Sequence, residues 1–437
     1  MSAIDGIRTD NTLEASAIRR ITLRLIPFLI VCYFISFLDR VNVGFAALQM
    51  NQDLGFTATM YGWGAGIFFL GYFLFEVPSN IALERVGARR WIARIMVSWG
   101  VVSAAMALVS GMWSFMALRF LLGCMEAGFF PGIILYLTYW FPREHRAKVV
   151  GIFMIAIPIS SLLGSPVSGA LLGMDGIWGM RGWQWLFVLE AIPAVVLGIG
   201  VLVWLPDKPG GAAWLPAAER DWLLGRLEME RRLLATARKV PLWEVLSQKK
   251  VLLLSLVYAG SAGASYGLTL WQPQIIKSFK LTDFQTGLVN GVPFGIACIA
   301  MIWWGRRSDR TGERLWHTAI PFFILAGGLV ACMAVASQLV PTLLMLCVAV
   351  TGVYMLKGPF WATATEMLPA ATAAAGIAAI NSIGNLAGFV GPFLIGYIKD
   401  RTGSFDLALI PLVVLAVVSG AVVLSMGRQV PVAQVAE

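Results

Sequence analysis

The sequence is a succession of apolar runs of about 20 residues that are separated by polar segments. An α-helix of that length crosses the hydrocarbon core of a bilayer and satisfies its own backbone hydrogen bonds there. Gly, Pro or charged residues bound twelve such runs, at residues 25–48, 60–83, 91–110, 113–140, 148–173, 185–205, 251–276, 285–304, 316–337, 341–363, 374–398 and 406–427. The predicted fold class is therefore all-α and integral to the membrane, with twelve transmembrane helices.

Composition argues against several other classes of protein. Charged residues make up 13% of the 437 residues and hydrophobic residues 58%, whereas soluble domains have about 25% charged residues. The net charge of +9 does not indicate a nucleic-acid partner, because the basic residues lie in the segments between the runs rather than on one solvated face. The five cysteines lie within apolar runs and have no CxxC spacing, so we expect neither disulfides nor a zinc site.

The sequence also carries no recognisable enzyme motif. It has no Walker motif, no HExxH and no GxSxG, and none of its polar segments is large enough to be a separate catalytic domain. We therefore expect neither an enzyme nor a bound cofactor or metal. We expect the chain to lie in the lipid bilayer and to be a monomer.

The basic residues predict how the chain is oriented in the membrane. Of the 33 Lys and Arg residues, 25 lie in or beside the polar segments on the side of the N-terminus, and 5 lie on the other side. Because segments rich in Lys and Arg stay in the cytoplasm, both termini are predicted to be cytoplasmic. Mostly polar residues precede the first run, so no signal peptide is expected. The other three basic residues, Arg40, Arg119 and Lys357, lie inside runs.

The two halves of the sequence repeat a motif. An acidic residue followed by R-x-G-x-R begins at Glu84, after the second run, and again at Asp309, after the eighth, 225 residues later. This agreement predicts two six-helix bundles that arose from one repeat. The predicted organisation is a cytoplasmic N-terminal tail (1–24), an N-terminal bundle (25–205), a cytoplasmic linker (206–250), a C-terminal bundle (251–427) and a cytoplasmic C-terminal tail (428–437).

The linker between the bundles is the longest polar segment and carries a helical pattern. Pro216 is typical of the start of a helix. Trp222, Leu223, Leu227 and Leu234 then follow along one side. An amphipathic helix is therefore predicted within the linker.

Ionisable residues inside the runs are the first candidates for function, because a charge at the centre of a membrane helix costs about 2.5–3.5 kcal/mol on insertion scales. Arg119 and Glu126 share one helix face at a separation of about 10 Å. That is too far for a direct pair, so each needs another partner. Asp39 and Arg40 are adjacent and point about 100° apart on a helix, so they serve different faces or partners.

Three spans carry further polar residues at helical spacing. These are Tyr72, Glu76 and Asn80 in the second span, Ser265, Thr269 and Gln272 with Tyr266 beside them in the seventh, and Asn381 and Asn385 in the eleventh. Residues of this kind either bond neighbouring helices or line a cavity. Both interpretations stay open for Glu76, Gln272 and Asn385.

Glycine and proline predict local features of two spans. Gly123, Gly128 and Gly132 in the fourth span indicate close helix packing, and only secondarily a hinge. Pro273 follows the polar residues of the seventh span. It predicts a break in that helix, at a place where a ligand could bind.

The tenth span places a lysine between two aromatic residues. Tyr354, Lys357 and Trp361 fall on one face, and Gly358-Pro359 should loosen the helix beside them. Lys357 either contacts a substrate or extends its long side chain to the nearby membrane surface. The first alternative would favour a dicarboxylate or a carboxylated aromatic ring, bridged between Arg40 and Lys357.

Several stretches resemble the anion:cation symporters of the major facilitator superfamily, over essentially the whole chain. They are Leu38 to Asn42, Gly71 to Asn80, Gly87 to Trp91, Glu126 to Gly132, Gly358 to Trp361 and Asn381 to Leu386. The last two are most similar to bacterial permeases for tartrate, phthalate and hydroxyphenylacetate. The resemblance implies the major facilitator fold and the uptake of an organic anion with protons, at a site between the two bundles that opens alternately to each side.

The resemblance also implies roles for individual residues. Arg40 would bind the substrate carboxylate, and Asn385 would contact the substrate. Asp39 and Glu126 would take part in proton coupling, with Arg119 near them. Lys357 is a candidate on the pattern of its own span alone.

The resulting prediction is a proton-coupled importer of a carboxylate, such as a dicarboxylate, an aromatic carboxylate or a sugar acid, in a bacterial inner membrane. The candidate substrate contacts are Arg40, Tyr72, Gln272, Tyr354, Lys357, Trp361 and Asn385, and the candidates for proton coupling are Asp39, Glu126 and Arg119. Because His145 and His317 lie at loop or span ends, the coupling proton falls to a carboxylate. Two alternatives stay open: a transporter of a neutral or cationic solute, and a membrane sensor that binds the anion without moving it.

Overall fold

The computed structural model describes residues 3–235, 244–245, 247–368 and 373–427, and within these ranges every regular element is helical. The α-helices are α1 (Ala3–Asp53), α2 (Ala58–Val86), α3 (Ala88–Ala105), α4 (Met112–Glu126), α5 (Phe129–Thr138), α6 (Arg143–Met154), α7 (Ala156–Leu171), α8 (Gly182–Trp204), α9 (Ala217–Ala235), α10 (Lys249–Lys277), α11 (Asp283–Thr311), α12 (Leu315–Ala334), α13 (Leu339–Met355), α14 (Lys357–Met367), α15 (Ala373–Asn385), α16 (Ala387–Thr402), α17 (Phe405–Ala408) and α18 (Ile410–Gly427).

Twelve stretches of the described chain are helical, long and apolar enough to cross a membrane. This confirms the predicted all-α fold class and the predicted number of spans. Each stretch overlaps a predicted run, and several continue beyond it, as does the eighth at Asp283–Thr311. A helix ends where it is capped rather than where its sequence turns polar, and here Gly312, with φ of 66°, ends α11.

The first helix continues through the segment predicted as the N-terminal tail and meets the linker. Ser16 Oγ donates to Glu219 Oε1 at 2.8 Å, and Arg20 Nε donates to Glu219 Oε2 at 3.1 Å. Glu219 lies on α9, whose Leu223 is fully buried. The side chain of Leu234, the rest of the linker at 236–243 and 246, and the predicted C-terminal tail at 428–437 lie outside the described residues.

Two pairs of spans are interrupted at corresponding places in the two halves of the chain. The fourth span is divided between α4 and α5, and the tenth between α13 and α14. The fifth is divided between α6 and α7, and the eleventh between α15 and α16. Interrupted helices at matching positions of two repeats are where membrane proteins of this kind place their binding sites.

The interruption of the fourth span depends on Gly128. Its φ is 84°, and the preceding Ala127 has an extended ψ of 134°. A residue with a Cβ atom is strained in that left-handed conformation. Gly128 also packs closely, because a Cβ atom there would lie 2.3 Å from Ser79 Oγ. The prediction ranked packing above a hinge, and the structure shows the close packing together with an interruption of the helix at Gly128.

The prediction of a break at Pro273 is wrong. Helix α10 continues through this residue from Lys249 to Lys277. A proline removes one backbone hydrogen bond from a membrane helix, and packing against neighbouring helices can hold the rest of the helix together.

Among the described residues, two helix pairs make the most extensive contacts between the halves, α7 with α11 and α2 with α16. We call the side of the membrane on which α1 begins the terminal side, and the other the far side. The α7–α11 contact lies toward the far side and brings the two backbones together, so that a Cβ atom on Gly287 would lie 2.4 Å from the Ser165 backbone oxygen. The small residues there permit this approach.

The second pair is also joined by hydrogen bonds at the far side. Asp400, on α16, accepts from the backbone N–H groups of Ala58 at 3.0 Å and Thr59 at 2.7 Å. These groups begin α2, where an N-terminal helix dipole favours a carboxylate. Direct contacts between the halves therefore close the far side of the molecule.

Candidate functional site

Arg40 lies at the centre of the molecule, where α1, α4 and α10 meet. Its Nε atom donates to Glu126 Oε1 at 3.1 Å, and its Nη2 atom donates to the same oxygen. Its Nη1 atom donates to the Tyr266 hydroxyl at 3.0 Å. The side chain is buried, so the guanidinium joins a carboxylate of the N-terminal half to a hydroxyl of the C-terminal half.

Aromatic rings surround this guanidinium. Its carbon lies 5.2 Å from the ring centroid of Tyr72 and 5.4 Å from that of Phe68. Arginine suits such a site because its delocalised charge is weakly hydrated and is attracted to ring faces. Tyr72, predicted as a substrate contact, therefore lies beside Arg40.

Glu126 is the last residue of α4, immediately before the interruption at Gly128. Ser36 Oγ donates to its Oε1 atom at 2.9 Å, the same oxygen that accepts from Arg40. No described residue bonds Oε2, so this carboxyl group keeps one oxygen on which a proton could reside. Beside the helix interruption, the carboxylate thus accepts from two donors at one oxygen, and its other oxygen has no donor among the described residues.

Arg119 does not pair with Glu126, in keeping with their spacing along α4. Its Nη2 atom donates to the Ala65 carbonyl at 3.0 Å, and its guanidinium lies 4.9 Å from the ring centroid of Phe68. Among the described residues, its Nε and Nη1 atoms have no hydrogen-bond partner. The guanidinium groups of Arg119 and Arg40 therefore both lie near the Phe68 ring. Arg119 also has two nitrogen atoms that could still donate to a ligand.

Asp39 faces the other way from its neighbour Arg40. Its carboxylate accepts from Trp99 Nε1 at 2.8 Å and from Ser103 Oγ at 3.0 Å, both on α3. Asn42 Nδ2 also approaches it, at 3.4 Å. Asp39 is therefore enclosed within the N-terminal half, whereas Arg40 faces the boundary between the halves.

The C-terminal half contributes a second cation. Lys357 begins α14, after the interruption of the tenth span, and its Nζ atom lies 4.5 Å from the ring centroid of Tyr354. No carboxylate of the described chain lies within 4.0 Å of that atom. The positive charges of Lys357 and Arg40 repel each other. Trp361, predicted on the same face, packs on Tyr258 with centroids 5.0 Å apart.

The remaining predicted contacts occupy different environments. Asn385 ends α15 and makes no hydrogen bond to a described residue, so its amide is free to meet a ligand. Gln272 is fully buried and donates to Asn290 Oδ1 at 3.0 Å. Asn290 in turn donates to Ser165 Oγ at 2.9 Å, across the α7–α11 contact. Gln272 thus lies next to a contact between the halves and supports Asn290, which makes that contact, about 9 Å along α10 from Tyr266.

Three polar residues matter more in the structure than in the prediction. Tyr266 bonds Arg40, although its sequence signal was only its place beside the polar face of the seventh span. Glu76 accepts from Asn381 Nδ2 and from Ser382 Oγ, each at 2.8 Å, so it bonds helices of opposite halves. Glu190, on α8, was missed, although it is a carboxylate inside an apolar run, as Glu126 is.

The site therefore brings two cations from opposite halves to one boundary, and one of them lacks a carboxylate partner. A substrate carboxylate could supply that partner and could compete with Glu126 for Arg40. Because the hydrogen-bond partners of Arg40 come from both halves, a ligand bound there would contact both.

Comparisons with known proteins identify related chains. The family model described as Major Facilitator Superfamily matches residues 29–392. A protein from Agrobacterium vitis named "Putative tartrate transporter" is 52% identical over 427 residues, covering 98% of this chain and 94% of that one. A "Quinolone resistance transporter" from Acinetobacter baumannii is 42% identical over 399 residues, covering 91% of each chain.

The fold also matches a solved structure, a bacterial homologue of the human lysosomal transporter Spinster in an inward-facing and occupied conformation. The TM-score is 0.75, and the match covers 93% of this chain and 97% of that one. The sequence identity is 16%. At that identity the match concerns the fold alone.

Proposed function

Because the chain belongs to the Major Facilitator Superfamily, we propose that it is a proton-coupled symporter that imports an organic anion by alternating access. Its family and its transporter-named relatives make it a multi-pass membrane transporter rather than an enzyme. The proposed substrate is a carboxylate, with a dicarboxylate such as tartrate as the first choice. The proposed location is a bacterial inner membrane, with both termini in the cytoplasm.

One observation carries this proposal: the central guanidinium of Arg40 is bonded to Glu126 of its own half and to Tyr266 of the other. Lys357, with no carboxylate partner among the described residues, adds positive charge on the facing half. An anion suits this arrangement because a planar guanidinium can hold a carboxylate through two parallel hydrogen bonds. The name of the relative from Agrobacterium vitis agrees with an anionic substrate.

The coupling we propose is a competition for Arg40. While Glu126 is ionised, it occupies the Arg40 donors. When Glu126 takes up a proton, those donors become free for the substrate carboxylate. Binding of the proton and binding of the anion then favour each other, and such linkage between two ligands is reciprocal.

The contacts that close the far side support the proposed alternation. The pairs α2–α16 and α7–α11 hold the halves together there. In the proposed cycle this is the state in which the site opens toward the terminal side, which the positive-inside rule assigns to the cytoplasm. Rocking of the halves about the central site would then open the far side.

The relative from Acinetobacter baumannii favours a second candidate function, the export of a drug-like compound. Import and export differ in the direction in which a proton gradient drives the substrate. A neutral or cationic substrate is a weaker candidate, because it would leave Lys357 without a counter-charge. A sensor would bind the anion and not accumulate it.

Uptake into proteoliposomes tests the proposal. Purified protein is reconstituted, and labelled tartrate is supplied outside with a proton gradient directed inward. We expect accumulation that disappears when a protonophore is added. Accumulation that ignores the gradient would refute proton coupling, and movement only in the opposite direction would favour export.

Glu126→Gln tests the coupling itself. Glutamine cannot ionise, so the variant should bind tartrate and exchange it across the membrane but should not accumulate it against a gradient. Glu228→Gln, on the exposed surface of α9, is the matched control and should accumulate tartrate as the unaltered chain does. A Glu126→Gln variant that still concentrates tartrate in response to a pH gradient would transfer the coupling role to another carboxyl group.

A further inference from the structure

A groove of about 720 Å³ lies between α16 and α18 on the outer surface of the C-terminal half, and the proposed mechanism gives it no role. Its lining is apolar along its length, with Val390, Leu394 and Ile398 on α16 and Ile410, Val414 and Val418 on α18. No described residue covers it, since 46% of Val390 and 56% of Val414 are exposed. Whatever fills the groove therefore comes from outside the described chain.

The groove exists because each of its walls packs closely on another helix. Gly396 brings α16 against α2, so that a Cβ atom there would lie 2.2 Å from the Ala58 backbone oxygen. Gly420 brings α18 against α12, where such an atom would lie 3.0 Å from the Phe323 ring. Small residues permit these approaches inside a membrane. The branched side chains that α16 and α18 present to the groove are therefore left apart.

The length of the groove matches one leaflet of a bilayer. On α16 its lining extends from Val390 to Thr402, and these 12 residue steps span about 18 Å of helix. The Thr402 end lies at the far side, because the nearby Asp400 bonds the first backbone groups of α2 there. One leaflet contributes about 15 Å to the hydrocarbon core. A lipid acyl chain that enters at the far-side surface could therefore occupy the whole groove.

Arg401 lies at the far-side mouth of the groove, beside Thr402. Its guanidinium carbon is 5.4 Å from the ring centroid of Tyr397, and both side chains are exposed. Among the described residues it has no carboxylate within 4.0 Å. The carboxylates nearest in sequence are bonded elsewhere, Asp400 to the backbone of α2 and Asp406 to a serine two residues before it. Exposed tyrosines of this kind are typical of the headgroup level of a membrane.

The unpaired charge of Arg401 is unusual for its side of the membrane, where basic residues are few. Arg181, also at the far side, pairs with Asp53 at 3.3 Å. Lys277 there pairs with Asp283 at 2.7 Å. Arg401 has no such counter-charge in the described chain. A phosphate group at the membrane surface would supply one.

We propose that this groove binds one phospholipid of the far-side leaflet, with an acyl chain between α16 and α18 and the phosphate at Arg401. The acyl chain supplies the packing that the two helices do not give each other, and packing of this kind is what holds helices together in lipid. The planar guanidinium donates to the phosphate oxygens. The groove lies outside the boundary between the halves, so tartrate binding at Arg40 does not depend on it.

Native mass spectrometry of the full chain tests the proposal. The protein is delipidated in mild detergent and titrated with dioleoylphosphatidylglycerol, or with dioleoylglycerol, which has the same acyl chains and no phosphate. We expect one tightly bound molecule for each chain. Val414→Trp fills the groove and should weaken binding of both lipids about tenfold. Arg401→Gln should weaken binding of the phospholipid about fivefold and leave that of dioleoylglycerol unchanged.

Val196→Trp, at a valine of α8 that is 60% exposed, is the matched control and should bind both lipids as the unaltered chain does. Equal affinities of Val414→Trp and Val196→Trp would refute the groove as a lipid site. An unchanged phospholipid affinity in Arg401→Gln would refute the contact with the phosphate. A dimer of the unaltered chain that Val414→Trp dissociates would assign the groove to a second copy instead.

Thermal melting in detergent gives a second measurement and verifies that each variant is folded. A ligand that binds the folded state raises the midpoint. Dioleoylphosphatidylglycerol should therefore raise the midpoint of the unaltered chain and of Val196→Trp more than that of Val414→Trp. Equal shifts in all three proteins would also refute the proposed site.

Discussion

At the scale of single residues, Arg40 is the cation best placed to recognise an anion. It has one carboxylate partner and one hydroxyl partner, and these belong to opposite halves. Glu126 and a substrate carboxylate would use the same donors. The recognition of substrate and the exchange of a proton would therefore meet at one guanidinium.

Arg40→Lys should lower tartrate affinity about tenfold or more. Lysine keeps the charge but offers no planar fork, so a charge-assisted hydrogen bond of about 1.5–3 kcal/mol is lost. Binding is measured by calorimetry on purified protein. Arg401→Lys, at an exposed arginine that also lies over a ring, is the matched control and should bind normally. Normal affinity of Arg40→Lys would remove Arg40 from the binding site.

Lys357→Met should separate dicarboxylates from monocarboxylates. If a dicarboxylate bridges Arg40 and Lys357, removal of the ammonium leaves one carboxylate unpaired, at a cost of about 2 kcal/mol or more. A monocarboxylate bound at Arg40 should be little affected. The measurement is inhibition of tartrate uptake by a panel of both classes, with Lys399→Met, a lysine stacked on Phe405, as the control. Equal losses for both classes, or none, would mean that Lys357 extends to the membrane surface.

At the scale of helices, the interruptions decide where the charged residues lie. The fourth span ends its first helix at Glu126, and the tenth resumes at Lys357. In each case an ionisable residue flanks the interruption. The interruption at Glu126 depends on the left-handed backbone at Gly128, which puts a single glycine in control of the position of the proposed proton carrier.

Gly128→Ala should therefore destabilise the protein, by about 1–2 kcal/mol from the backbone conformation alone. The contact with Ser79 adds to this, because Trp91 Nε1 donates to the Ser79 hydroxyl at 3.0 Å and holds it in place. Thermal unfolding in detergent measures the loss. Gly151→Ala has free space within 4 Å and a helical backbone, so it should be neutral or slightly stabilising. Equal midpoints for the two variants would show that the interruption does not need glycine.

At the scale of the whole molecule, the balance between the two access states depends on the far-side contacts. Asp400 is a clear element of that balance, since it lies on one half and bonds the first backbone groups of a helix of the other. A carboxylate at the start of a helix contributes about 0.3–1 kcal/mol. Small contributions of this size shift a population without unfolding either half.

Asp400→Asn should open the far side more often, by about two- to fivefold in population. Spin labels on α2 and α16, in a cysteine-free background, measure the distance between the halves by pulsed electron resonance. Asp406→Asn is the matched control, because the Asp406 carboxylate bonds Ser404 within its own half. A distance distribution that is the same in all three proteins would show that Asp400 does not stabilise the closed far side.

The sequence by itself determined what depends on order along one helix. Twelve runs of sufficient length identified the spans, because an apolar helix of about 20 residues crosses the hydrocarbon core and satisfies its own backbone hydrogen bonds there. The 100° step between Asp39 and Arg40 predicted their different partners, and the seven-residue spacing of Arg119 and Glu126 excluded a direct pair. The helix period sets both relations, whatever the rest of the chain does.

Only the tertiary structure decided which helices meet. It joined Arg40 to Tyr266 and Glu76 to Asn381, residues 226 and 305 positions apart, and it placed Gln272 against Asn290, which bonds Ser165 of the other half. The period of a helix gives the direction of a side chain but not the neighbour it meets. That neighbour depends on how the two halves pack. Apolar faces predict that a helix is buried in the membrane, but they do not specify which helix packs against it.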